Sequence, residues 1–145
     1  MNGWMGLKIA LSTHGPIDLL TIMLGTNDCK ALFGNSARDI LGGISGLLTI
    51  AQNAELQSRH GGYKTLLIAP PPIVVTGHFS ASFYGADRLS EQLSDLYSEI
   101  ATHWGIEFFD AGDVIATSPI DGVHFEKEAH QTLGVALAGK ITKIM

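Results

Sequence analysis

The stretch DLLTIMLGTNDCK, Asp18 to Lys30, runs through a mostly apolar segment and stops abruptly on Gly-Thr-Asn-Asp. Its apolar part, Leu19 to Leu24, is short, lacks helical spacing and follows the chain breaker Gly15-Pro16, so it reads as a buried parallel strand. Such a strand delivers Asn27 and Asp28 to its carboxyl end, which is where function collects in open α/β sheets.

The same scheme recurs downstream. Ser36 and Asp39 have the spacing of a capping box, and Ile40, Ile44, Leu47, Leu48 and Ala51 recur on one helical face, predicting a long helix that ends at Gly61-Gly62. Gly42, Gly43 and Gly46 within it each cost about 1 kcal/mol relative to Ala, which points either to close packing on a neighbour or to a kinked middle. A second strand, YKTLLIA, must end at Pro70-Pro71-Pro72, because proline cannot donate to a ladder. From Asp87 to Trp104 the residues Leu89, Leu93, Leu96, Tyr97, Ile100 and Trp104 share a helical face, with Gly105 placed to end it. A third strand, IEFFDA, precedes a last helix from about Glu126 to Lys143 that turns Ala129, Leu133, Ala136, Leu137 and Ile141 inward. Alternating strands and helices predict one α/β domain over residues 1–145, with a parallel sheet covered on both faces.

At 145 residues, 46% hydrophobic and 16% charged, the chain can bury a real core. A net charge of −5 with scattered Lys and Arg argues against nucleic acid as a partner. The longest weakly polar run, Ile40 to Ala51, is too short to cross a hydrocarbon layer of about 30 Å as a helix, so no membrane partner is expected. A single cysteine, Cys29, excludes an internal disulfide. The start lacks the pattern of a secretory signal, so the cytoplasm is the expected compartment, with the question of an upstream signal peptide left open.

Chemistry is expected from Asn27 and from DGVHF, Asp121 to Phe125, before the last helix. Asp-x-x-His lets a carboxylate bond one imidazole nitrogen and leave the other as a general base; alternatively Asp121 shapes a turn and His124 faces solvent. The Asn27 amide can donate to an oxyanion or satisfy turn backbone. Asp28 is expected to hold its loop by accepting backbone N–H groups. In the loop from Pro72 to Gly85, Val74, Val75, Phe79, Phe83 and Tyr84 either line an acyl pocket or pack for the loop's own stability, and Val74, Val75 and Phe79 are the substrate-binding candidates. His130, His124 and Asp121 lack tight metal-ligand spacing, and no metal or other cofactor is expected.

Together, GTND after the first strand and DGVHF before the last helix resemble the SGNH, or GDSL-type, serine hydrolase family. IMLGTND, PPP, FFDAG and LGVALA look like its bacterial arylesterase and acyltransferase branch, and the resemblance covers nearly the whole chain. It implies a three-layer α/β/α, flavodoxin-like fold and a small-molecule ester substrate. Asn27 inherits an oxyanion-hole role, and Asp121 and His124 inherit two places in a catalytic triad.

The family's nucleophile is a serine in a Gly-Asp-Ser-Leu block, and no Gly-Asp-Ser occurs in these residues; the block supplying an oxyanion-hole glycine has no clear counterpart either. The resemblance therefore implies an N-terminally truncated form of the fold, with Met1 aligning past two strands and NGWMGLKIALSTHG matching the helix before the third. Cys29 is a poor substitute nucleophile, since the charge of Asp28 raises a thiol pKa. Ser12, Ser36 and Ser118 lack a nucleophile-elbow setting and read as cap or loop residues. The strand at Leu19 would then form an open edge, covered by residues Asn2 to Ser12, by a second copy or by the missing segment. A chain of this kind is expected to be nearly inert alone. The other readings are a non-catalytic binding or assembly protein with a degenerate SGNH fold and, well behind for want of a glycine-rich loop, a phosphate-binding domain.

Overall fold

The computed structural model describes residues 3–145. Three strands, β1 (Leu19–Ile22), β2 (Lys64–Ala69) and β3 (Glu107–Asp110), form a parallel sheet in the order β1-β2-β3. Leu19 pairs with Lys64 and Ile22 with Leu67, while Leu66 pairs with Glu107 and Ala69 with Asp110. The helices are α1 (Gly3–Thr13), α2 (Ala37–Ala51), α3 (Ala54–Arg59), α4 (Ala86–Ser90), α5 (Leu93–Trp104) and α6 (Lys127–Ile144).

The pleat of β2 separates two cores. Leu67 and Ala69 face Ile40, Ile44, Leu47 and Leu48 of α2 and Leu93, Tyr97 and Ala101 of α5. Leu66 and Ile68 face the other way, toward Ala111, Ile115 and the α6 residues Leu133 and Ile144. Five consecutive buried residues in β2, Thr65 to Ala69, are what a strand covered on both sides requires. The parallel sheet is covered on both faces, as the order of elements predicts, in the three-layer α/β/α arrangement that the resemblance implies.

Several boundaries differ from the sequence reading. The helix expected from Ser36 to Gly61 is two helices, because the Asn53 side chain accepts the N–H groups of Glu55 and Leu56 and caps a new one. The helix expected from Asp87 is also divided: the Ser90 hydroxyl bonds the Asp87 carbonyl and accepts the Ile73 N–H, and α5 begins at Leu93. Close packing does not explain Gly42, Gly43 and Gly46, since each faces open space inside an unbroken helix. The capping box is present, with Ser36 and Asp39 bonding each other's backbone N–H.

β1 has one neighbour in the sheet, so its outer edge is open among the described residues. Helix α1 does not form a strand along that edge. It packs on α2, with Leu11 buried beside Ile50 and Tyr63, while Arg59 and His60 donate to the carbonyls of Ser12 and Leu11 at its C-terminus. Asn2, which belonged to the expected cover, lies outside the described residues. Among them, no helix is long and apolar enough to cross a membrane.

Candidate active site

The loops that leave the carboxyl ends of β1, β2 and β3 carry Asn27, Phe79 and the pair Asp121–His124, so parallel topology places all the candidates on one edge of the sheet. The loop after β3 is steered at its start by Asp110. One of its carboxylate oxygens accepts the Gly112 N–H at 2.7 Å, and the other accepts the Ser94 hydroxyl of α5.

Asp121 and His124 meet directly: Asp121 Oδ2 lies 2.7 Å from His124 Nδ1. The other carboxylate oxygen accepts the backbone N–H groups of Val123, at 2.9 Å, and His124, at 3.0 Å. These bonds hold the Asp121 carboxyl down at about 2, with the His124 backbone N–H the largest cause, the Val123 N–H next and the imidazole after them. An ionised carboxylate only accepts, so Nδ1 carries a proton, and in the neutral imidazole Nε2 is left with its lone pair. The imidazole is two-thirds exposed (67%), whereas the Asp121 side chain is 14% exposed. A shielded acceptor behind an accessible ring is the arrangement a general base needs.

Two glycines bring the loop after β2 against this pair. Gly122 has φ of 72°, and a side chain there would run into the Val74 carbonyl; instead Val74 N–H donates to Gly122 O at 3.0 Å. A side chain at Gly77, whose φ is 61°, would likewise run into the Ile120 carbonyl. The Phe79 ring sits 5.5 Å from the His124 ring, centroid to centroid, and also neighbours the rings of His78 and Phe83. Among the three substrate-binding candidates, the Phe79 ring faces the His124 ring, the Val74 backbone bonds Gly122 while its side chain is exposed, and Val75 is half-buried next to it. Phe83 belongs to the core, and Tyr84 points into solvent.

Asn27 lies in a 3₁₀ turn, Thr26–Cys29, whose backbone is tied from several directions. Tyr97 donates to Leu24 O, Asp28 N–H to Gly25 O, and the Asn35 amide to Asp28 O. The turn begins at Gly25, whose φ of 122° and close approach to the Tyr97 hydroxyl leave no room for a side chain. The Asn27 side chain is exposed and makes no hydrogen bond among the described residues, so its amide is open to an incoming group. Among the described residues no hydrogen bond joins Asn27 to His124. The two are linked through the loop after β2: Ala31 N–H donates to Ser82 O, the Lys30 ammonium lies 5.7 Å from the Phe83 ring, and Phe83 stacks edge-on with Phe79.

The Asp28 carboxylate does not hold the loop as expected; its backbone does, because Asn35 and Gly25 engage its carbonyl and N–H and leave its side chain exposed. Cys29 is buried, with its thiol pushed up to about 11 by burial first and by the Asp28 charge second, which disfavours the nucleophilic thiolate. His130 packs edge-on against Phe125, and among the described residues no three His, Cys, Asp or Glu side chains converge as metal ligands.

The model of the GDSL-like lipase/acylhydrolase family matches residues 3–132. The aryl esterase of M. smegmatis superposes with a TM-score of 0.92 at 38% identity, covering 100% of this chain and 69% of that one. A carbohydrate acetylesterase from Sinorhizobium meliloti superposes with a TM-score of 0.90 at 37% identity, again over 100% of this chain and 69% of its own. No curated protein matches the chain.

Proposed function

The chain belongs to the GDSL-like lipase/acylhydrolase family, and we propose that it supplies the base and oxyanion side of a serine esterase site for short-chain esters, with the nucleophile coming from outside these 145 residues. The observation that carries this reading is the 2.7 Å bond from His124 Nδ1 to Asp121, which leaves an accessible Nε2 beside Phe79. In the assembled site a serine hydroxyl gives its proton to His124 Nε2 as its oxygen attacks the ester carbonyl. Asp121 stabilises the imidazolium that forms, and the Asn27 amide donates to the tetrahedral oxyanion. Collapse returns the proton from His124 to the leaving alkoxide. Water, deprotonated by the same imidazole, then releases the acid, or a second alcohol takes the acyl group. The Phe79 ring lines the place where an acyl or aryl group would lie.

Without a nucleophile this cycle has no first step. Loss of a triad nucleophile costs on the order of a million-fold in turnover, so the 145-residue chain alone is close to inert. The open edge of β1 is the natural docking place for a strand that carries the serine, and in its absence for a second copy of the chain. The test is to supply the part of the M. smegmatis aryl esterase that has no counterpart here, fused or in trans, and to assay an aryl acetate. Turnover that depends on the supplied serine and on His124 supports the reading; turnover indifferent to His124 contradicts it.

A second reading, a binding or assembly protein that retains the fold without catalysis, is favoured by one observation: no Gly-Asp-Ser occurs in the chain. It predicts ester binding without turnover even when the missing part is supplied.

A further inference from the structure

We propose that Ser118, seated by Glu126, is a positioning residue that holds Asp121 and His124 in mutual register; this rests on reading that pair as the acid–base element of the site. Ser118 is 4% exposed and lies three residues before Asp121. Every polar group it has is engaged. Its N–H donates to the His124 carbonyl at 2.7 Å, and its own carbonyl accepts the Gly122 N–H at 2.7 Å. Its hydroxyl accepts the Ile120 N–H at 3.1 Å and donates to Glu126 Oε1.

The placement of these bonds separates a positioning role from general stabilisation. The backbone bonds of Ser118 end on His124 itself and on the neighbour of Asp121, closing residues 118–124 into a ring around the pair. The hydroxyl bonds set the path of Ile120, just ahead of Asp121, and tie the ring to α6. Glu126 occupies the cap position of α6, yet its side chain caps nothing in that helix and turns to Ser118 instead. The serine hydroxyl both donates to a carboxylate and accepts a backbone N–H, so alanine fails at both and threonine can do both. On the far side, Thr117 Oγ1 donates to Pro72 O at 3.3 Å, and Val74 N–H donates to Gly122 O, so the ring is fixed against the loop that carries Phe79.

The test is the tautomer of His124 in the full chain, read from its ring ¹⁵N shifts at a pH where the imidazole is neutral. Wild type should hold the Nδ1–H form, because Asp121 accepts that proton. Ser118→Ala should move the tautomer ratio toward Nε2–H by about tenfold, as expected for loss of a charge-assisted hydrogen bond. Ser118→Thr should restore it. Glu126→Ala should shift it in the same direction, and Glu126→Gln, which still presents an acceptor, should not. Should Ser118→Ala fail to fold, Glu126→Ala decides the matter. A wild-type tautomer ratio in every folded variant would overturn the proposal. Absent ester turnover in the assembled enzyme with the Nδ1–H form intact would instead contradict the esterase reading and leave this positioning role standing.

Discussion

His124 Nδ1 lies 2.7 Å from Asp121 Oδ2, with the carboxylate mostly shielded and the imidazole open to solvent. The exposed ring is held from behind, so its orientation is set before any substrate arrives. In the assembled enzyme, Asp121→Asn should therefore lower kcat by about 10⁴-fold by releasing the tautomer. Steady-state kinetics with an aryl acetate checks this.

The oxyanion assignment gives a smaller number. Removing one preorganised donor costs about 10²–10³-fold in kcat, so Asn27→Ala should fall in that range with KM little changed. Because the turn is held by Tyr97, Gly25 and Asn35 rather than by the Asn27 side chain, the variant should keep its melting temperature. A large loss of stability with unchanged kcat would make Asn27 a turn residue.

Acid should loosen the site. The Asp121 carboxyl is depressed from 3.8 to about 2 in the folded chain. A depressed carboxyl contributes stability that is fully present above its unfolded value and is lost as pH falls through the folded one. The amide shifts of Val123 and His124 should therefore move together between about pH 4 and pH 2, and Asp121→Asn should abolish that movement.

Gly122→Ala tests the joint between the loops. It places a side chain at a φ of 72°, which costs about 1–2 kcal/mol for an L-residue, and it drives that side chain into the Val74 carbonyl. The denaturation midpoint should drop by more than the backbone strain alone requires, and the Phe79 and His124 resonances should shift together. Gly42→Ala, in open space on α2, should be neutral or stabilising.

The open edge of β1 predicts concentration-dependent self-association of the chain alone, measurable by sedimentation. Thr21→Lys, which puts a charge on that exposed strand, should reduce it. A monomer at all concentrations would mean the edge is protected in solution.

The three strands were legible in the sequence as short, mostly apolar runs bounded by breakers; β2 is buried on both faces, whereas β1 exposes Thr21 and β3 exposes Glu107. Helix interruptions were not, because they turn on single side chains: Asn53 capping α3 and Ser90 bonding Ile73 look like ordinary polar residues within continuing helical periods. Asp121 and His124 were visible as a spaced pair, and their contact follows from that spacing. Ser118 and Asp110 were not visible as parts of the site, since their roles come from where the backbone turns back on itself. Asp28 misled because its carboxylate suggested a loop anchor, whereas its backbone groups make the bonds.

A chain that carries only the base side of an esterase needs a serine from elsewhere. The most direct test is the pre-steady-state burst of aryl alcohol from an aryl acetate, measured on the chain alone and on the chain completed with the serine-bearing part of the M. smegmatis aryl esterase. The chain alone should give no burst, the completed enzyme a burst approaching one equivalent, and the His124→Ala variant of that enzyme none. A stoichiometric burst from the 145 residues alone, or a completed enzyme indifferent to His124→Ala, would contradict that assignment.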